Sequence, residues 1–322
     1  MVEQSVVAAA PQTTPKTAAP RRKYRKYWPL LTMMVPGILY LILNNYLPMF
    51  GIVIAFKNVN FSKGILHSDW VGFDNFEYLF KTSDAFIITR NTILYNLVFI
   101  GLGTVLALAS AIMLNEIHSK RLLKTIQSVI TLPHLISMVI VSYLVFALLS
   151  ADTGFINKTV LPWFGIEDGI MWYSEAKYWP VILSLVHFWK SVGYSSIVFF
   201  AALIGIDEDY YEAARLDGAS RWKQIIHITL PILTPIIIMM TLLSVGRIFY
   251  SDFGLFYQIP MNSGPLFETT STIDTYVFRG LMGTGDVGMS TAAGVYQSLV
   301  GFMLVILANY VVRRFNKDNA LF

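Results

Sequence analysis

The most informative stretch of the chain, residues 205–231, has the sequence GIDEDYYEAARLDGASRWKQIIHITLP and lies between two apolar runs. Asp207 is a favourable N-cap, and acidic residues follow it where the helix dipole stabilises negative charge. Gly218 is placed to end that helix at the C′ position, and Ser220 can cap a second helix. The second helix must end before Pro231 or kink there. We therefore predict two short helices with a glycine break between them, ahead of a long apolar segment.

The composition of the whole chain indicates a membrane protein. Apolar residues make up 55% of the 322 residues and charged residues only 14%, and the mean hydropathy is +0.56. A soluble domain carries about a quarter charged residues. The chain has no cysteine, which excludes disulfides and thiolate metal sites.

Six apolar runs are long enough to cross a bilayer, which takes about 20 helical residues. We predict spans near 29–55, 86–114, 123–149, 178–204, 232–256 and 290–312. The first contains Pro36 and Pro48 and is expected to be kinked or irregular at its outer end. The third contains Pro133, which is tolerated where neighbouring helices cover the freed carbonyls. The fold class is therefore an all-α polytopic membrane protein with six transmembrane helices.

The distribution of basic residues predicts the orientation. With a cytoplasmic N-terminus, 15 of the 24 Lys and Arg residues lie in inside segments and 6 in outside loops, while Arg90, Lys190 and Arg247 fall within spans. This bias predicts that both termini are cytoplasmic. The net charge of +4 thus reflects membrane flanks rather than a nucleic-acid site.

The same pattern divides the chain into a cytoplasmic N-terminal tail (1–27), a transmembrane domain (28–314) that contains the loop 205–231, and a cytoplasmic C-terminal tail (315–322). Residues 1–20 have few aromatic or large aliphatic side chains, so we predict that they are disordered.

The polar loop is predominantly acidic. Its acidic residues are Asp207, Glu208, Asp209, Glu212 and Asp217, against the basic residues Arg215, Arg221 and Lys223. One interpretation is an amphipathic linker on the membrane surface. The anionic inner leaflet would repel such a patch, so a protein partner with a basic groove is favoured.

The loop resembles the EAA loop of importer permeases, whose pattern is E-A-A-x3-G-x9-I-x-L-P. Glu212-Ala213-Ala214, Gly218 and Ile228-Thr229-Leu230-Pro231 match every defined position. The resemblance implies a MetI-like core and a helix that docks in a cleft of a separate ATPase subunit. The residues it assigns to ATPase coupling are Glu212, Ala213, Ala214, Arg215, Asp217 and Gly218.

A narrower resemblance, to the LplB-type polysaccharide permeases, covers most of the chain. It is carried by Pro36-Gly37, Tyr46–Phe56, Trp70-Val71-Gly72, Asn75-Phe76, Asn91-Thr92, Leu114-Asn115-Glu116 and Leu132–Ser137. It implies import of an oligosaccharide, such as a pectin or alginate fragment, into a bacterium through the inner membrane. The implied partners are a second permease, two ABC ATPase subunits and an extracytoplasmic solute-binding protein.

Ionisable residues inside spans are costly and are therefore candidates for function. Lys190 and Arg247 are the deepest, and their positive charge suits an acidic oligosaccharide. An alternative is structural, with Arg247 paired to Asp252 or to an acid of a neighbouring subunit. The substrate-pathway candidates are Lys190, Arg247, Tyr194, Tyr250, Trp189 and Asn96, although each aromatic residue among them is also a common packing residue.

The histidines within spans and the aromatic outer loops have simpler interpretations. His134 and His187 lack companion ligands, so no metal and no cofactor is predicted, and both are interpreted as packing residues. The aromatic outer loops fit an interfacial belt or a docking surface for an external protein equally well.

Two rival functions remain to be weighed. The chain has no HExxH, GxSxG or Walker A motif, which disfavours an intramembrane enzyme and assigns ATP hydrolysis to partner subunits. A secondary transporter or channel usually shows acids within its spans or broken-helix repeats. No acid lies deep in a predicted span, so this alternative is disfavoured, and ATP dependence of uptake would discriminate it.

Overall fold

The computed structural model describes residues 24–315. The predicted disordered segment 1–20 and residues 316–322 of the predicted C-terminal tail lie outside this range. The described residues divide into two compact units, with the boundary between Gly51 and Ile52.

The described part of the first unit is helical throughout. Helix α1 (Tyr24–Leu41) passes into a π turn (Ile42–Tyr46), then into α2 (Leu47–Met49) and a 3-10 turn (Phe50–Phe56) that enters the second unit. The predicted irregular end of the first span is confirmed, because the helical type changes three times after residue 41.

The second unit begins with a small ribbon and continues as helices. Strand β1 (Lys57–Asn58) pairs antiparallel with β2 (Asp69–Trp70). The helices are α3 (Asp74–Lys81), α4 (Asp84–Asn115), α5 (Lys120–Leu135), α6 (Met138–Leu149), α7 (Leu161–Trp163), α8 (Trp179–Ile204), α9 (Glu208–Leu216), α10 (Arg221–Gln224), α11 (Leu230–Val245), α12 (Phe267–Thr270), α13 (Ile273–Arg279) and α14 (Val287–Phe315). Short 3-10 turns cover Trp172–Ser174, Ala176–Tyr178 and Gly264–Leu266, and π turns cover Ile156–Val160, Ile225–Thr229, Gly254–Gln258 and Gly280–Thr284.

The membrane-spanning candidates agree with most of the predicted spans. Among residues 24–315, five helices are long and apolar enough to cross a membrane, and six segments are if one bent pair counts as a span. The five are Tyr27–Phe56, Asp84–Asn115, Ala176–Ile204, Arg221–Val245 and Val287–Arg314.

The predicted third span, 123–149, is not one straight helix. Helices α5 and α6 form it and are bent by 94° relative to each other. Ile136 and Ser137 are extended at the break, and the Ser137 hydroxyl accepts a hydrogen bond from the Ile140 amide to cap α6. Pro133 alone therefore did not indicate the position or the size of the bend.

Of the two outcomes predicted for the helix after Ser220, an end before Pro231 or a kink there, the first is wrong. The helix continues from Arg221 to Val245 because a π turn precedes the proline and the Leu230 amide bonds to the Ile225 carbonyl. A wider turn leaves room for the proline ring and needs no amide proton from it. The same arrangement, a π turn followed by Leu-Pro, occurs before Pro48 and Pro162.

The predicted fifth span, 232–256, ends too late. The helix stops at Val245, and side chains from other helices bond the backbone of residues 248–250. The Asn96 amide donates to the Ile248 and Tyr250 carbonyls, and the Gln297 amide donates to the Phe249 carbonyl. Hydrophobicity continues past the helix end, so the pattern of apolar residues does not mark it.

Helix α8 lies at the centre of the packing. It packs along α4 and is crossed by α5, and Gly193 stands at that crossing. A Cβ atom at Gly193 would lie 1.8 Å from the Ile130 carbonyl oxygen, so only glycine allows the two backbones to approach this closely.

Candidate coupling loop and transmembrane cavity

The loop after α8 forms the predicted helix–glycine–helix unit. The Asp207 carboxylate accepts a hydrogen bond from the Asp209 amide (3.1 Å) and caps α9. At the other end the Ala219 amide bonds to the Ala214 carbonyl (2.8 Å), and Gly218 adopts a φ of +75°. This is a Schellman ending, in which glycine takes the left-handed residue without strain. The local prediction is therefore confirmed.

The exposed face of α9 carries the charges assigned to coupling. The Glu212 side chain is 65% exposed, and the Arg215 guanidinium lies 4.0 Å from it and 3.7 Å from Glu208. Such exposed ion pairs contribute little stability, so Glu212 is free to exchange Arg215 for another cation. Ala213, Asp217 and Gly218 are exposed as well, while Ala214 is half-buried.

The loop 205–231 is tied to two membrane-spanning segments. The Tyr211 hydroxyl lies 2.9 Å from the Thr229 hydroxyl, on the helix that leads into α11. Arg221 donates to Glu116 (3.4 Å) just after α4. A cavity of about 370 Å³ lies between these contacts. Glu116 was not among the predicted coupling residues, although its Leu114-Asn115-Glu116 motif was a signal for it.

A second cavity, of about 580 Å³, lies between α4, α8 and α11. Three of the predicted substrate-pathway residues line it: Asn96, Arg247 and Tyr250. Arg247 is exposed to it and makes no ion pair within residues 24–315, so the alternative of an Arg247–Asp252 pair in this chain is not observed there. The Asp252 carboxylate instead accepts from the Leu255 amide (3.1 Å).

The cavity also has a polar stripe that the sequence analysis did not assign. His187, Ser191 and Ser195 line it from α8, at intervals of four residues. The His187 ring stacks on Phe99, with ring centroids 3.7 Å apart, so its packing role is confirmed while it also faces the cavity. The spacing of four was a usable signal, because residues i, i+4 and i+8 share a helix face.

The other three predicted residues lie elsewhere. The Lys190 ammonium donates to the carbonyls of Pro133 (3.1 Å), His134 (3.0 Å) and Ile136, at the break between α5 and α6. The Tyr194 ring stacks on His134, with centroids 4.3 Å apart. Trp189 is exposed and does not line the cavity.

The loops at the opposite end of α4 are fixed by side-chain hydrogen bonds. The buried Asn157 side chain donates to the Ile170 carbonyl (2.9 Å) and accepts from the Trp172 indole (2.8 Å). Burial raises the pKa of the Tyr173 phenol to about 12. The Arg279 guanidinium lies over the Phe267 ring (4.1 Å), and burial lowers its pKa.

A bundle of candidate spans with a polar cavity, and with a helix–glycine–helix loop at one end, defines a multi-pass membrane transport subunit. The profile of the binding-protein-dependent transport system inner membrane component family matches residues 100–317. The chain belongs to this family: it is a permease subunit of an ATP-binding-cassette importer, with the MetI-like fold.

Individual relatives agree with this assignment. The protein LplB of Bacillus subtilis (strain 168) is 35% identical over 295 residues, 91% of each chain. The polygalacturonan/rhamnogalacturonan transport system permease protein YteP of the same organism is 35% identical over 289 residues, 90% of this chain and 89% of YteP. A crystal structure of a bacterial ABC transporter involved in import of the acidic polysaccharide alginate contains a chain with 32% identity and a TM-score of 0.83, covering 92% of this chain and 98% of that one.

Proposed function

We propose that this chain forms half of the translocation pathway for an acidic oligosaccharide, and that α9 couples the pathway to ATPase subunits. The observation that carries the substrate class is Arg247, which faces the 580 Å³ cavity and has no ion pair within the described residues.

The chemistry of the cavity suits a uronate. A guanidinium offers paired donors in the geometry that a carboxylate accepts. Tyr250 offers an aromatic face in the same cavity as Arg247, and Ser191 and Ser195 of the polar stripe offer hydroxyls for sugar hydrogen bonds. Two relatives act on acidic polymers by their names, polygalacturonan for YteP and alginate for the crystallised transporter, which supports the same substrate class here.

The coupling residues are Glu212, Ala213, Ala214, Arg215, Asp217 and Gly218. Their support is the exposed acidic face of α9 and the rigid Schellman ending beneath it. A cation of an ATPase cleft replaces Arg215 as the partner of Glu212. The Tyr211–Thr229 contact then carries the displacement of α9 to the helix that leads into α11, and the Arg221–Glu116 contact joins the start of that helix to the end of α4.

The remaining partners and the location belong to the same proposal. The chain works with a second permease, two ATPase subunits and an external solute-binding protein, and it catalyses no reaction itself. It lies in a bacterial inner membrane with both termini in the cytoplasm. A related alginate transporter was crystallised with a pentasaccharide-bound periplasmic protein, which supports an external binding protein for this chain.

Uptake of labelled oligogalacturonate and of a neutral oligosaccharide of equal length tests the proposal. The wild-type chain, expressed with its neighbouring subunits, should import the acidic sugar only when ATP is available. Arg247→Gln should lower acidic uptake roughly tenfold or more, because a charge-assisted hydrogen bond contributes about 1.5–3 kcal/mol. Unchanged acidic uptake by this variant would refute the role of Arg247, and ATP-independent uptake would indicate a secondary transporter or channel.

A further inference from the structure

One face of α4 combines exposed apolar side chains with a single cation. Phe86 is 69% exposed and Leu94 is 55% exposed, and Val98 is exposed on the same face. Arg90 stands between Phe86 and Leu94, four residues from each. Residues at intervals of four share a helix face, so this face presents hydrocarbon and one guanidinium together.

An apolar groove lies on each side of Arg90. One groove, of about 550 Å³, runs between α4 and α14 and is lined by Phe80, Ile93 and Tyr296. The other, of about 340 Å³, runs between α4 and α8 and is lined by Val98 and Pro180. Arg90 and Leu94 line both grooves, so one cation lies between two apolar grooves.

The walls of both grooves are fixed before any ligand binds. In the first, the Tyr296 hydroxyl lies 3.2 Å from the Thr89 hydroxyl, and its ring meets Phe80 edge-to-face at 5.4 Å. In the second, the Tyr95 hydroxyl donates to the Thr269 carbonyl (2.9 Å). Preformed walls reduce the ordering cost of binding.

The Arg90 guanidinium has only neutral partners in the described part of the chain. It donates to the Glu268 carbonyl (3.0 Å) and, from two nitrogens, to the Asn91 side-chain oxygen (3.2 and 3.1 Å). No carboxylate between residues 24 and 315 lies within ion-pair distance of it. The positive charge is therefore oriented but not neutralised.

Arg90 lies near one end of α4. It lies six residues after Asp84, where α4 begins, which is about 9 Å along the axis. That end of α4 is opposite the coupling loop. A long cationic side chain near the end of a span extends to the interface.

We propose that the two grooves hold the acyl chains of one anionic phospholipid and that Arg90 binds its phosphate. Two apolar grooves that meet at one cation match the two acyl chains of a phospholipid, which meet near one phosphodiester. A guanidinium binds phosphate through paired, charge-assisted hydrogen bonds. An apolar helix of another subunit would cover the grooves but would leave the charge of Arg90 without an anion.

Native mass spectrometry of the chain, purified with its accompanying subunits in mild detergent, tests this site. The added probes are phosphatidylglycerol and phosphatidylcholine with identical acyl chains. The wild type should retain phosphatidylglycerol at a concentration roughly tenfold lower than phosphatidylcholine, and Arg90→Lys should keep most of this preference, since the cation remains. Arg90→Gln should abolish the preference, whereas the control Lys158→Gln, at an exposed loop cation, should keep it.

A second variant covers the case in which Arg90→Gln fails to fold. Leu94→Trp leaves the hydrogen bonds of Arg90 intact and fills the wall that both grooves share, so it should lower retention of both lipids. The site is refuted if Arg90→Gln and Leu94→Trp retain lipid as the wild type does. It is also refuted if these variants lose an accompanying subunit and no lipid, because a protein helix would then occupy the grooves.

Discussion

Lys190 and Arg247 are both cations within predicted spans, yet the structure places them in different surroundings. Lys190 is bound by three backbone carbonyls at the elbow between α5 and α6. Arg247 faces a cavity and has no ion pair in the described range. The cost of an intramembrane charge alone does not separate these roles. The partner of the charge does, because a satisfied cation supports the backbone and an unsatisfied one can bind a ligand.

The elbow explains why a lysine is required there. A bend of 94° ends α5 within the bundle and leaves carbonyls without amide partners. The ammonium has three donors and meets three carbonyls at the negative end of the α5 dipole. We infer that Lys190 positions the broken span, whereas Arg247 contacts substrate.

The largest expected effect comes from closing the space where α8 crosses α5. Gly193→Ala places a methyl group 1.8 Å from the Ile130 carbonyl oxygen. The clash is with backbone atoms, so it can be relieved only by moving one of the two helices apart from the other. We expect a loss of about 3 kcal/mol or more in stability, measured as the thermal unfolding midpoint and folded yield in detergent. The matched control is Gly101→Ala in α4, where a Cβ atom meets nothing within 4 Å. A similar midpoint for both variants would contradict the tight crossing.

The next largest effect is expected in the coupling loop, away from both Lys190 and Arg247. Glu212→Lys reverses the charge of an exposed side chain, so the protein should fold and bind substrate normally. Transport should fall to background, since the cation of the ATPase cleft would be repelled. Uptake and ATP hydrolysis by the purified importer measure this loss, with Glu208→Lys as the control on the same helix. Normal transport by Glu212→Lys would end the coupling assignment.

Lys190→Met tests whether the elbow serves all substrates. The change leaves the His134 and Ile136 carbonyls without donors, whereas the Pro133 carbonyl still accepts from the Ile136 amide (3.3 Å), and we expect a cost of about 2 kcal/mol. Acidic and neutral oligosaccharides should lose uptake by the same factor, and the unfolding midpoint should fall. Lys190→Arg, which keeps donors and charge, should recover much of both. A selective loss of acidic uptake in Lys190→Met, with unchanged stability, would instead return Lys190 to the substrate pathway.

The smallest effect is expected at the cavity. Arg247→Lys keeps the positive charge but loses the paired donors of the guanidinium. We expect acidic uptake to fall about threefold, which corresponds to roughly 0.7 kcal/mol, with neutral uptake and stability unchanged. The ratio of acidic to neutral uptake is the measurement. A change in both sugars would mean that Arg247 acts on the backbone, as Lys190 does.

The sequence was sufficient for features that depend on neighbouring residues. The cap at Asp207, the glycine break at Gly218 and the apolar runs are local, and the structure confirms them. The elbow could not be predicted, because it depends on Lys190, which lies more than fifty residues from the carbonyls it binds. The end of α11 was missed for the same reason, since Asn96 and Gln297 bond that backbone from distant helices.

The prediction of substrate-pathway residues was also limited because the structure depends on contacts between residues distant in sequence. Asn96, Arg247 and Tyr250 meet at the cavity, but Trp189, Lys190 and Tyr194 lie outside it although they are on α8, which supplies its polar stripe. Hydrophobicity identifies a span, but it does not give the rotation of the helix. That rotation is set by packing, such as the contact of Gly193 with Ile130.

Substrate-stimulated ATP hydrolysis by the purified importer tests the central claim most directly. Hydrolysis is followed as the acidic oligosaccharide and the binding protein that accompanies the importer are titrated. The account predicts that Arg247→Gln needs a roughly tenfold or higher sugar concentration for half-stimulation and reaches the same maximum. Lys190→Met should keep the half-stimulating concentration and lower the maximum. Equal shifts in both variants, or no stimulation of the wild type by acidic sugar, would contradict the account.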